Sequence, residues 1–361
     1  MGASGHFWRG VVFALAGATL WGFSGACIQF LAESYDISSA FISAVRAVVA
    51  AVLFATFALA TRREALLSLV GSAAVRPTLV LFGVGLYLSQ ITYAVSVALT
   101  NAGTATVLQA TCTVFVMLFT CMRARHLPRL TDFAGLVCAL VAAALIATQG
   151  DWDVIVLPVA GLVWGIVNAL SEALYIMVPQ RLYDHWDRLA IIACGMVIGG
   201  VVALMVWLAG EGIVALFATS VDPVPATGAG AIGSGSGSPA QAAGIPALLA
   251  DIFGTGGALI PQLDAVGWIV LVGGVGVLGT FTAFGLFLYG VSLVGSVKGS
   301  LLGVAEPAGA MVIAALWLQT PFSAADWTGL LLMAAMIALV SLSGARPRRL
   351  RGQSRPPIAR S

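Results

Sequence analysis

Ten apolar stretches, each long enough to cross a bilayer, dominate this sequence and leave little room for another kind of fold. They run over residues 10–32, 38–60, 78–98, 101–122, 131–149, 158–180, 188–209, 265–289, 294–318 and 325–343. A hydrocarbon core about 30 Å thick needs about 20 apolar residues per helix. Inside it every backbone polar group must be satisfied within the segment, which helices do. Composition agrees: 60% of the 361 residues are hydrophobic and only 9% are charged, against about 25% charged in ordinary globular domains. Such a chain cannot cover a water-facing surface with polar groups. Disorder is excluded too, because it requires low hydrophobicity and high net charge. A net charge of +2 gives no electrostatic footprint for nucleic acid. The sequence predicts an all-α integral membrane protein with ten transmembrane helices.

Cysteine and histidine spacing closes off further classes. Cys27, Cys112, Cys121, Cys138 and Cys194 lie in or at the ends of apolar runs without a Cys-x-x-Cys pair, as packed thiols do. His6, His126 and His185 are far apart, and no metal-ligand spacing is present, so no metal is expected. The first apolar run follows Arg9 but is longer than the hydrophobic core of a cleaved leader, about 7–15 residues, so it reads as a span that is kept.

Basic residues set the orientation, since short cytoplasmic loops are enriched in Lys and Arg. With the N-terminus in the cytoplasm, the inner segments hold Arg9, then Arg62, Arg63 and Arg76, then Arg123, Arg125 and Arg129, then Arg181 and Arg188, and six arginines after Gly344. That is 15 of the 17 basic residues, and the outer segments hold none. Both termini are therefore expected in the cytoplasm. Residues 210–264, with Gly233-Ser-Gly-Ser-Gly-Ser238, read as a flexible external loop, in which a short helix around Pro246–Phe253 fits the sequence. The tail over 344–361 combines arginine with proline and reads as a basic cytoplasmic anchor at the inner leaflet.

The chain also repeats itself. A shift of 194 places residues 95–149 on 289–343 without a gap, so that Asp132-Phe133 meets Asp326-Trp327 and Gly135 meets Gly329. A shift of 143 places Leu20-Trp21-Gly22 on Val163-Trp164-Gly165 and Gln29 on Glu172. Residues 1–150 and 151–343 then hold five spans each. Five is odd, so the second half enters the membrane from the opposite side. Inverted repeats of this kind place a binding site near the midplane in many secondary transporters.

The tandem five-span halves, the Trp-Gly in the first helix of each, Arg46 in the second helix, and Leu301-Leu-Gly-Val-Ala-Glu306-Pro307 in the ninth carry a specific resemblance. Over residues 10–343, apart from the external loop, the chain resembles the drug/metabolite transporter superfamily, EamA-like family. It departs from that family's pattern at Thr113, where a proline is usual, and at His126 and Thr320, where glutamate is frequent. The resemblance implies two EamA-like five-helix repeats in a bacterial-type cytoplasmic membrane, carrying small metabolites such as amino acids, often outward.

Four charged residues lie within spans: Arg46, Glu172, Lys298 and Glu306. A charge at a helix centre costs about 2.5–3.5 kcal/mol on insertion scales, which makes these the first candidates for substrate binding or coupling. Glu306 lies roughly 18 Å from the inner end of its span, counted at 1.5 Å per residue. Asn168, Ser171 and Glu172 share one helix face. Trp21, Trp164 and Gln29 complete the candidate set, while Gln109, Thr111 and Thr113 read as interhelical hydrogen-bonding groups. Pro307 and Gly303 mark an expected bend, because proline removes an N–H and clashes with the carbonyl four residues back. Gly274-Val-Gly-Val-Leu-Gly279 matches a dinucleotide fingerprint only in letters, since no strand precedes it.

Taken with the absence of a phosphate-binding Gly-x-x-x-x-Gly-Lys motif, these features predict a secondary carrier for small polar solutes, working by alternating access. Protons are the coupling ion considered, taken up on Glu306 or Glu172; no cofactor is called for. The alternative is a membrane-embedded enzyme acting on a lipid-linked substrate; it would use the buried acids, but neither metal ligands nor a nucleophile–base pair accompany them.

Overall fold

The computed structural model describes residues 3–35, 37–123, 125, 127, 130–151, 155–220, 252–253, 260–294, 299 and 301–344. No strand occurs among the described residues. The helices are α1 (Ala3–Tyr35), α2 (Ser39–Thr61), α3 (Arg63–Gly71), α4 (Arg76–Leu99), α5 (Ala102–Gln109), α6 (Cys112–Arg123), α7 (Leu130–Thr148), α8 (Val159–Met177) and α9 (Arg188–Ser220). They continue as α10 (Ala265–Val294), α11 (Ala305–Trp317) and α12 (Ala324–Gly344). Among the described residues, eight segments are long and apolar enough to cross a membrane, with α5 and α6 together forming one of them. Two further apolar helices, Ala305–Trp317 and Ala324–Val340, are shorter.

Helix ends follow local chemistry. Ser38 caps α2 by accepting from Phe41 N at 3.2 Å, and Asn101 caps α5 by accepting from Thr104 N at 2.8 Å. Ahead of α10, Asp264 Oδ1 accepts from Gly267 N at 2.8 Å and from the Tyr35 hydroxyl at 2.6 Å. These bonds, the tyrosine's above all, hold the Asp264 carboxyl below its ordinary range and tie the end of α1 to the start of α10. Asp326 Oδ2 accepts from both the backbone and the hydroxyl of Ser323 at 2.8 Å, closing the first turn of α12.

Three features differ from the sequence expectation. The seventh apolar span ends at Gly210, as expected, but its helix α9 continues to Ser220, so the first residues assigned to the external loop are helical. Between the second and third spans the chain forms α3, a short helix that buries Leu69 completely. Nearly half of α10, Ile269–Thr282, is π-helical, a wider coil that often accompanies functional sites. Of the expected short helix at Pro246–Phe253 only Ile252 and Phe253, both helical, are described. The glycine-rich centre of the loop, Lys298 and the basic tail lie outside the described residues.

Lipid does not drive apolar helices together, so close approach depends on small residues. α1 packs along α10 and α11, α2 along α9, α4 along α8 and α9, and α7 along α12. Outward-facing residues such as Leu140 and Leu331, 62% and 70% exposed, present an apolar surface to the bilayer. Seven helices (α1, α2, α4, α5, α8, α10 and α11) surround a central cavity.

Candidate functional site

The cavity gathers three of the four charges that the sequence placed within spans. Arg46 from α2, Glu172 from α8 and Glu306 from α11 line it together with Trp21, Leu86, Ser89, Gln90, Tyr93, Gln109, Tyr175 and Phe284. Its volume is about 60 Å3. That is small beside ordinary ligand pockets, roughly 300–1,000 Å3. The central space as described has room for water or an ion and must widen to take a metabolite.

Each charged group has its own tether. Arg46 donates from Nε to the Thr280 hydroxyl at 2.8 Å, and Thr280 donates in turn to the Val275 carbonyl at 2.9 Å, five residues back in the π-helical segment. Glu306 Oε1 accepts from Gln109 Nε2 at 3.4 Å. Glu172 Oε1 accepts from the Tyr175 hydroxyl at 3.4 Å, while Gln109 and Cys112 also approach the carboxylate. Its second oxygen, Oε2, is buried and has no hydrogen-bond partner among the described residues. Trp21 is held on the wall by edge and tilted contacts with Phe284 and Phe287, ring centroids 4.9 and 4.8 Å away.

Two broken helices point into this space. The turn at Gly303–Val304 interrupts the helix just before Glu306. Pro307 has no N–H for the carbonyl of Gly303, and that carbonyl accepts instead from Glu306 N at 3.0 Å. The matching interruption in the first half falls at Ala110–Thr111, between α5 and α6, although no proline stands there. Here Thr111 turns its hydroxyl back onto the Leu108 carbonyl at 2.6 Å, and its N–H bonds the same carbonyl at 3.0 Å. Local side-chain bonds of this kind compete with the helical ladder.

The two Trp-Gly motifs meet these broken helices from opposite halves of the chain. A Cβ added at Gly22 would lie 2.5 Å from the Glu306 carbonyl oxygen and 2.6 Å from Ala310 N, so only glycine lets α1 lie against α11 here. One added at Gly165 would lie 2.6 Å from Leu108 Cδ1, beside Gln109 on α5. Each glycine thus admits the broken helix of the other half.

Comparison with known proteins places the chain in a family. The EamA-like transporter family matches residues 8–148 and 226–342. This chain belongs to the EamA-like transporter family. A protein of Salmonella typhimurium named "Uncharacterized inner membrane transporter YicL" is 27% identical over 342 residues, covering 94% of this chain and 98% of its own. A solved structure, described only as a crystal structure of a protein, superposes with a TM-score of 0.53 at 14% identity, covering 93% of this chain and 99% of the other. At that identity it speaks for the shared fold alone. The chain is a multi-pass membrane transporter.

In this EamA-like transporter the other predicted site residues fall in several places. Asn168 is fully buried behind the wall, donating from Nδ2 to the Ser89 carbonyl at 2.7 Å and to Thr92 Oγ1 at 3.3 Å. Gln29 does not line the cavity: it donates to Glu33 Oε1 at 2.8 Å and Thr320 Oγ1 at 2.9 Å and accepts from Ala102 N at 2.9 Å. It clamps α1, α5 and the segment after α11 together. Trp164, the repeat counterpart of Trp21, is not among the lining residues, and Lys298 lies outside the described residues. Sequence reasoning missed Ser89, Gln90 and Tyr93 on α4 and Tyr175 on α8, while Gln109 makes the interhelical bond expected of it, to Glu306, and lines the cavity as well. The signal for α4 was the run of polar side chains Ser89, Gln90, Thr92, Tyr93 and Ser96 inside an apolar span.

Proposed function

We propose that this transporter is a secondary carrier for small polar solutes, probing amino acids first, and that the Arg46–Glu172–Glu306 cavity is its substrate site. The observation that carries this reading is the convergence of three membrane-embedded charges on one central cavity, each on a different helix. Charges in apolar spans are costly to keep and mark solute or ion paths. Arg46 presents a cation for a carboxylate or other anionic group; Glu172 and Glu306 present acceptors for ammonium or hydroxyl donors. When both acids are ionised the three groups sum to one negative charge, so an entering cation or proton restores balance.

Alternating access follows from the broken helices. The ten apolar helical segments act as two inverted five-helix halves, with the long connection before α10 inside the second. The reciprocal fit of Gly22 against α11 and Gly165 against α5 supports that pairing. The Gln29 clamp, together with a cavity too small for a metabolite, fits a form closed around its site. In the cell the carrier works in the cytoplasmic membrane with both termini inside, and export is the direction the family resemblance favours.

The test is counterflow in liposomes with a set of radiolabelled amino acids and related polar metabolites. A carrier moves label that is recovered chemically unchanged, and does so only with protein in the membrane. Chemically altered label would establish an enzyme instead, and no movement of any solute in the set would overturn the assigned class.

A further inference from the structure

Three buried side-chain amide or carboxylate oxygens on the packed helices α4 and α8 have no hydrogen-bond partner among the described residues. They are Gln90 Oε1, Asn168 Oδ1 and Glu172 Oε2. Asn168 and Glu172 are one helical turn apart on the same face of α8. Gln90 and Glu172 line the same cavity, and Asn168 is held 2.7 Å from the carbonyl of Ser89, the neighbour of Gln90 and itself part of the wall. Asn168 is 0% and Gln90 9% exposed. A buried polar atom left unpaired costs about 1–3 kcal/mol, more when charged. Three on two packed helices, all acceptors, point to a missing donor or cation.

Charge decides which. Arg46 and Glu306 face one another across the cavity and attract, so their charges offset each other. When it is ionised, Glu172 is left as one uncompensated negative charge, beside two neutral amide oxygens. One carboxylate with two amide oxygens is a hard, oxygen-only donor set carrying a single charge. Hard cations take such ligands, and secondary carriers hold coupling ions where helices expose backbone oxygen at the midplane. The cavity of about 60 Å3 accommodates a small ion with water but not a metabolite.

We propose that Glu172, Asn168 and Gln90 form a binding site for a monovalent metal cation, sodium in the first instance, at the α4–α8 side of the cavity. The ion neutralises Glu172 and satisfies the two amide oxygens, which pins α8 to α4 when the site is filled. Its use as a coupling ion rests on the carrier reading above; its binding does not.

The experiment is equilibrium binding of 22Na+ to the purified full-length protein in lipid nanodiscs, in choline buffer at constant ionic strength. Saturable binding of about one ion per chain is expected, competed by unlabelled sodium and not by choline. Glu172→Gln should weaken it at least tenfold and Gln90→Ala at least threefold, while Glu64→Gln on exposed α3 should leave it unchanged. Gln90→Ala carries the test if Glu172→Gln does not yield a monodisperse protein. Absence of saturable binding to the native protein overturns the site, and so does binding that survives the loss of Glu172 or Gln90. Sodium binding without solute movement would leave the site standing and remove the carrier; solute movement without sodium binding would do the reverse.

Discussion

Arg46 on the second helix and Thr280 on the π-helical segment are joined by a hydrogen bond of 2.8 Å, and the Thr280 hydroxyl donates in turn to a carbonyl five residues back. The guanidinium is thereby tied to the coil of α10. A π-helical segment holds its residues in a register that an α-helical one does not, so a change of coil in α10 moves the partner that holds Arg46 in place.

Thr280→Val removes both halves of that link with almost no change in shape. Hydrogen bonds to charged groups contribute about 1.5–3 kcal/mol. Solute transport is expected to fall by roughly tenfold or more, on the scale of 1.4 kcal/mol per factor of ten, while Thr280→Ser retains most of it. Initial rates in liposomes check this; equal rates for valine and serine would separate Arg46 from Thr280 in function.

Gly22 and Gly165 differ in what stands opposite them. At Gly22 the obstacle is the backbone of α11, which cannot swing aside; at Gly165 it is chiefly the Leu108 side chain, which can change rotamer. Overpacking costs about 1–3 kcal/mol. Gly22→Ala should therefore lower the thermal unfolding midpoint more than Gly165→Ala does, as followed by tryptophan fluorescence in nanodiscs. The reverse order would mean that α1 and α11 separate easily.

Orientation rests on the distribution of arginine. Ser236→Cys, in the connection before α10, is expected to react with an impermeant maleimide added to intact cells, and Ser354→Cys, in the basic tail, only after the cells are broken open. Labelling in the opposite pattern would invert the protein and undo the assignment of both termini to the cytoplasm.

How far the sequence carried the account depended on how strongly each residue contrasts with its surroundings. Glu172, Glu306 and Arg46 stand out because a charge in an apolar span is rare, and the structure brings all three to one cavity. Trp21 was legible as a motif, but its counterpart Trp164 was not a safe extension, because repeat symmetry relates backbones more closely than side-chain environments. Gln29 shows the same limit: it aligns with Glu172 yet serves as a clamp between α1, α5 and Thr320. Ser89, Gln90 and Tyr93 carry no charge, and uncharged polar residues are common in spans. The break at Ala110–Thr111 had no proline to announce it, and the π-helical coil leaves no mark in a segment that is apolar on every side.

The claim that the cavity carries solute through its charged groups is tested most directly at Glu306. Glu306→Gln keeps the size and the hydrogen-bonding capacity of the side chain and removes only its charge, and with it one of the two carboxylates that share the cavity with Arg46. With the protein still inserted and monodisperse, liposome transport of the solute identified by counterflow is expected to fall at least about tenfold, roughly 1.4 kcal/mol of lost interaction. Transport at the native rate throughout the range from about pH 5.5 to about pH 8, on either side of the neutral region where a buried acid can titrate, would contradict the account and leave Glu306 a structural residue.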